Sequence, residues 1–276
     1  MAIITISRGT FSGGTNLAEL LSEKLKCTHI TRETLVSIAK DKGVSLKKLS
    51  QALDEKPGLL ESMAERVHYL TYIQQALAKA IKDEDNVVYD GLAGHLLLKD
   101  IPNILRVKVI ANMDYRIEAA MERMKFNTRK DAYDFIKNID NKRDKWTRAL
   151  YQRDWQDPLL YDLVINLEQM SFNSASEVVY HAASQSEFER TQDMQKEIID
   201  FSLCTDVRAA IAADYTIDDS NIDVEVKDGI VTLEGTIDNL EQAARIKSMV
   251  QKIPGVKEID SRMQKQTGPL DPFQRK

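Results

Sequence analysis

The residues whose types and spacing could hold a phosphate are Arg8, Gly9, Ser12, Gly13, Gly14, Thr15 and Asn16. They follow the apolar run Ile3-Ile4-Thr5-Ile6 and precede Leu17, Leu20, Leu21 and Leu25, which recur at helical spacing. The stretch therefore reads as a buried strand, a glycine-rich turn and the start of an amphipathic helix. A helix start presents unpaired N–H groups and the positive end of its dipole, and glycines let an anion reach them with no Cβ in the way. A strand-turn-helix corner without a ligand has the same outline, and the glycine count and flanking elements favour the phosphate cradle.

Against the phosphate-loop pattern G-x-x-x-x-G-K-[ST], Gly9 and Gly14 fill the glycine slots. Thr15 stands where a lysine is expected and Asn16 where a Mg-binding hydroxyl is expected. A second candidate is Asp90, at the end of the short apolar run Val87-Val88-Tyr89 and before Gly91. An acid there either holds a metal through water or begins a turn. Arg32 opens the helix after the second extended piece. The helical stretch 129–153 carries Lys137, Lys142, Arg143, Lys145, Arg148 and Arg153 among four aspartates. It is either a solvated face with i,i+4 pairs or a clamp on a moving phosphoryl group.

These candidates are carried by strands that alternate with helices, which predicts an α/β fold with a parallel sheet flanked by helices and the ligand at its carboxyl edge. The strands are expected at Ile3–Ile6, 28–32, 87–91, 105–111 and 163–166. Asp114 is expected to cap the helix after the fourth of them. Leu60, Met63, Val67, Leu70, Ile73, Leu77 and Ile81 form one helical stripe, and residues 43–58 form a looser segment that is either mobile or substrate-facing.

At 276 residues the chain has room for two domains. Its 38 basic and 43 acidic residues give a net charge of −5, which argues against broad binding to nucleic acid or an anionic membrane. Cys27 and Cys204 are too few for a disulfide framework or a zinc site, and no metal site is expected. The apolar start ends at Arg8 and no apolar run reaches spanning length, so a cytoplasmic location is expected.

Several runs together resemble the cytidylate kinase-like branch of the P-loop nucleoside monophosphate kinases over about residues 3–182. They are Ile6-Ser7-Arg8 with Ser12-Gly13-Gly14, the strand ending in Gly91, and Asn112-Met113-Asp114 through Arg123. The most specific runs are Asp140-Asn141-Lys142-Arg143, Trp155-Gln156-Asp157-Pro158 and Tyr161-Asp162-Leu163-Val164-Ile165-Asn166, in the order of that family's lid and closing strand. The resemblance implies that Arg143, with Arg123 and Arg153, contacts the transferring phosphate. It also implies that the glycine loop holds the donor and that Arg8, Arg32, Asp90 and Asp157 face the substrate. ATP with Mg is the donor such a kinase uses, although nothing else in the sequence requires either. Thr15 replaces the family's loop cation, and Leu92 stands where an acceptor arginine usually follows the glycine. Each lost charge costs on the order of a hundredfold in rate, so residual phosphoryl transfer to a pyrimidine nucleoside monophosphate is expected. The alternative is an inactive nucleotide or phosphate-ligand sensor.

The kinase-like domain is expected over 1–185, followed by a helical connector over 186–202. The second domain, 203–266, begins with a short helix marked by Val207, Ala210 and Ile211. Ile222 to Lys227 alternates as a half-buried strand, and Asp228-Gly229 predicts a tight hairpin that sets Val226 opposite Val231 and Val224 opposite Leu233. With the alanine-rich helix at 240–250 and Pro254-Gly255-Val256, this segment resembles the BON domain. That resemblance implies a module that binds protein or lipid, and an edge strand at 222–227 could pair two copies into a homo-oligomer. Residues 267–276 read as a disordered tail.

Overall fold

The computed structural model describes residues 2–40, 63–91, 93–214, 216–217 and 219–265. The loose segment 43–58, the stripe's first residue Leu60, Leu92 and the tail 267–276 lie outside them. The chain forms two compact units, 1–198 and 199–276.

The first unit is a five-stranded sheet of β1 (Ile3–Arg8), β2 (Thr28–Thr31), β3 (Val87–Asp90), β4 (Ile104–Ile110) and β5 (Leu163–Asn166), in the order β2-β3-β1-β4-β5. Every pairing is parallel. Between the strands run α1 (Gly14–Leu25), α2 (Arg32–Lys40), α3 (Met63–Asp83), α4 (Gly94–Leu97), α5 (Met113–Met124) and α6 (Arg129–Tyr151), and α7 (Phe172–Ala183) follows β5.

A central strand of a parallel sheet is buried on both faces, and β1 is buried at every position but Arg8, with Ile3, Ile4 and Ile6 supplying its apolar side chains. Ile4 and Ile6 join Val88, Val107, Leu17, Leu21, Ala175 and Val179 in the core on one face, beneath α1 and α7. Thr5 and Tyr89 point the opposite way, where α4 packs on β1. The stripe on α3 is buried at Ile73, Leu77 and Ile81.

Two boundaries differ from the sequence reading. The cap of α5 is Asn112, whose Oδ1 accepts the Tyr115 N–H at 2.8 Å, while Asp114 lies in the first turn and pairs with Arg129. The expected short helix is not separate: with the connector from Gln192 onward it forms α8 (Gln192–Ala212).

In the second unit β6 (Ile222–Lys227) and β7 (Ile230–Ile237) form the expected antiparallel hairpin, with Val224 opposite Leu233 and Val226 opposite Val231. Both turn residues have positive φ, 52° at Asp228 and 81° at Gly229, as a two-residue turn matched to strand twist requires. Strand β8 (Glu258–Lys265) pairs parallel to β7, and α9 (Leu240–Val250) covers the sheet. Val207, Ile211, Val224, Val231, Leu233, Ile246 and Val250 close this core. Among the described residues no helix is long and apolar enough to cross a membrane.

Candidate functional site

Connections leave the carboxyl ends of the neighbours β1 and β4 in opposite directions, towards β2 and towards β5. A crevice opens at such a reversal, and the glycine-rich loop lies there. Gly13 is the N-cap of α1 with φ 87°, and no side chain caps the helix. A Cβ on Gly13 would lie 2.8 Å from Phe172 Cε1, so both backbone conformation and space require glycine. The turn is closed by the Ser12 N–H on Gly9 O at 3.1 Å, with the Ser12 hydroxyl 2.9 Å from Gly9 O and 3.1 Å from Val109 O.

Two other elements fix the loop from behind. Asp140 of α6 accepts both the Thr10 N–H at 3.1 Å and the Thr10 hydroxyl at 2.8 Å. Its second oxygen pairs with Arg116 of α5, whose Nε donates to Thr10 O at 2.7 Å. Phe11 adopts φ 59°, uncommon for a bulky residue. Its ring is partly buried against the cluster of Ile117, Ala120, Ala132 and Ile136, and its centroid is 6.3 Å from that of Phe135.

Arg8 and Asp90 meet across the ends of β1 and β3. Arg8 Nε lies 2.7 Å from Asp90 Oδ1, and Nη2 donates to Oδ2 at 3.3 Å. Asp90, left open in the sequence between metal ligand and turn residue, is here the buried acid of an ion pair at the end of β3. One turn beyond Asp140, Arg143 Nη1 donates to Arg8 O at 3.1 Å.

These parts border one open cleft of about 1000 Å³, large enough for a cofactor-sized ligand. Ser12, Gly13, Gly14, Thr15 and Asn16 line it together with Arg8, Arg32, Asp90, Arg123 and Arg143. Gly9 sits beneath the loop, where its would-be Cβ is 3.3 Å from the Arg116 guanidinium. Arg153 and Asp157 are not brought into the cleft: they line a separate groove with Arg106, Leu159 and Phe188. There Asp157 caps a short turn by accepting the Leu159 N–H at 2.9 Å. The charge run on α6 divides between its two readings, since Arg148 is held in solvent by Asp144 and Asp154 while Arg143 faces the cleft.

Beneath the loop lies a polar cluster that the sequence reading did not single out. Lys108 is buried on β4, donates from Nζ to Trp155 O at 2.6 Å, and sits 4.0 Å from the Trp155 ring and 5.0 Å from that of Tyr161. Burial lowers its pKa to about 8. His95 is also buried, with Nδ1 3.1 Å from Ser7 Oγ, and burial followed by the Lys108 and Arg106 charges lowers its pKa to about 3. Lys108 carried a signal: a lysine inside a strand of a parallel sheet must bury its stem and find an acceptor. Arg116 carried none beyond its place in the first turn of α5.

A parallel sheet of this order, with a glycine-rich loop between its first strand and first helix, is the fold of the P-loop kinases. The model of the cytidylate kinase-like family matches residues 3–169, and the BON domain matches residues 199–266. The chain belongs to the cytidylate kinase-like family and carries a BON domain. It is 26% identical over 185 residues to a cytidylate kinase of Methanococcus aeolicus, covering 65% of this chain and 96% of that protein. A cytidylate kinase of Methanosarcina acetivorans is also 26% identical, over 169 residues, 60% of this chain and 87% of that one. Among solved structures, an uncharacterized protein from Eubacterium ventriosum shares the fold with a TM-score of 0.50 at 22% identity, over 67% of this chain and 100% of that one.

Proposed function

We propose that the first unit binds nucleotides in the cleft and slowly transfers a phosphoryl group from ATP, taken as its Mg complex, to a pyrimidine nucleoside monophosphate. The observation that carries this reading is the uncapped N-terminus of α1, which opens into a cleft bordered by Arg8, Arg32, Arg123 and Arg143. Unpaired helix N–H groups bind phosphate, and guanidinium groups neutralise the charge of a phosphoryl group in flight. The named cytidylate kinases to which the chain is similar supply the substrate class. A cytoplasmic location is part of the same reading.

Thr15, which lines the cleft at the position of the usual loop cation, favours a second reading: a nucleotide-binding regulator without turnover, whose BON domain engages a protein, a lipid or a second copy of the chain. One experiment separates the two. The full chain is incubated with Mg and ATP and each nucleoside monophosphate, and the same nucleotides are titrated directly. Turnover above background with CMP or dCMP supports kinase activity, and binding without turnover supports the regulator. Absence of both overturns the nucleotide reading.

A further inference from the structure

The loop lacks a cation on α1, and the structure supplies one from the opposite direction. A Cβ built on Gly14 would lie 2.7 Å from both Cβ and Cδ of Arg8. The arginine stem therefore lies across the first residue of α1, and Gly14 has no side chain because that stem fills the space. The head of the same residue is held at Asp90, whose side chain is 1% exposed against 27% for Arg8, so the guanidinium stands between the buried carboxylate and the cleft. The contact is close but imperfect: neither Arg8 Nε–H nor Asp90 Oδ1 finds an aligned hydrogen-bond partner. Asp90 engages the Nε and Nη2 edge, and a guanidinium has five N–H donors, so the Nη1 edge is left for another acceptor. The Arg8 carbonyl is tied to Arg143, which steadies the backbone that carries the group.

We propose that Arg8 is the phosphate-binding cation of this loop, reaching the N-terminus of α1 from the strand before the loop and replacing the charge that Thr15 cannot supply from the helix after it. The inference rests on the nucleotide reading above. Asp90 is its positioning residue. It fixes the guanidinium at the helix start before any ligand arrives, and it cancels much of the long-range attraction, so the gain comes from short-range donation to phosphate oxygen.

The test compares the Kd of ATP and of adenosine for three forms of the full chain. They are the unaltered protein, the double variant Arg8→Gln with Asp90→Asn, and that double variant with Thr15→Lys added. Changing both partners avoids leaving a buried carboxylate alone. The double variant should bind ATP at least about tenfold more weakly, with adenosine affinity unchanged, and adding Thr15→Lys should recover most of the loss. Thermal melting establishes that each form is folded. Should the amide pair fail to fold, Arg8→Met with Asp90→Leu takes its place with the same expected outcomes. Unchanged ATP affinity overturns the proposal, as does a loss shared by adenosine or a loss that Thr15→Lys does not recover. If the unaltered protein binds neither compound, the nucleotide reading falls first and the proposal falls with it.

Discussion

Replacing Asp140 by alanine should cost the first unit about 2–4 kcal/mol of stability, because it breaks a largely buried charge pair and frees the loop at once. The carboxylate and the Arg116 guanidinium have side chains only 14% and 11% exposed, so water takes over from a missing partner only in part. Alanine also removes the acceptor of the Thr10 N–H and hydroxyl, bonds to a charged group worth about 1.5–3 kcal/mol each before relaxation. Solvated pairs such as Arg148 with Asp144 contribute little by comparison. Asp140→Asn keeps an acceptor for Thr10 but loses the charge opposite Arg116, and should cost about half as much. The combination Asp140→Ala with Arg116→Met removes the stranded guanidinium and should recover part of the loss, giving a coupling above about 1.5 kcal/mol. Urea unfolding of the unaltered chain, Asp140→Ala, Arg116→Met and the double variant measures the cycle, and ATP titration reports whether the loop keeps its shape. A cost below about 1 kcal/mol for Asp140→Ala, or single costs that simply add, would refute the claim that this trio fixes the loop.

Gly13→Ala must accept φ 87° and place a methyl 2.8 Å from Phe172 Cε1; a loss of about 1–3 kcal/mol is expected in urea unfolding, with weaker ATP binding by titration. His95 stays neutral in the folded chain down to about pH 3, whereas the unfolded chain protonates it near 6.5. Its contribution to stability is therefore complete above about pH 6.5 and is lost as the pH falls towards 3. The difference in urea midpoint between His95→Gln and the unaltered chain should drift in that direction between about pH 7 and pH 4, and a constant difference would contradict it. In the second unit, a Cβ on Gly235 would lie 1.9 Å from Asn221 O at φ 129°, so Gly235→Ala should abolish that unit's cooperative melting in calorimetry. Asp200→Ala removes the acceptor of the Asp228 and Gly229 N–H groups, at 2.6 and 3.0 Å, and should lower the same transition by about 1–2 kcal/mol.

The fold was legible wherever a local rule leaves one solution. Strands β6 and β7 alternate with period two and are joined by two residues, so the pairing of Val224 with Leu233 follows from the sequence and the turn alone. The connector is helical from Gln192, as read, and it joins the helix that follows for a related reason. The change in composition near Glu187 marked the connector without showing where its helix ends, because a helix is hydrogen-bonded within itself and continues until something interrupts it. Residues 192–212 contain neither proline nor glycine, so α8 runs on to Ala212. At α5 two capping residue types stood two positions apart. Strand β4 ends at Ile110, which leaves Asn112 at the N-cap and puts Asp114 inside the first turn.

The site was legible as a set of elements and not as a set of partners. A strand, a glycine turn and an amphipathic helix announce the cradle within fifteen residues, whereas what holds it in place is separated from it by most of the domain: Asp140 lies 130 positions from Thr10, and Asp90 lies 82 from Arg8. Only the strand order, with β1 beside β3, makes the last two neighbours. The same separation bears on Thr15. A motif counts residues along the chain, and by that count the loop has lost its cation. An anion at the helix start responds to charge in space, where Arg8, carried by a different element and packed on Gly14, stands at the same corner. If Arg8 serves the loop as proposed, the neutral residue at the motif position marks a change in where the charge comes from and not a loss of it.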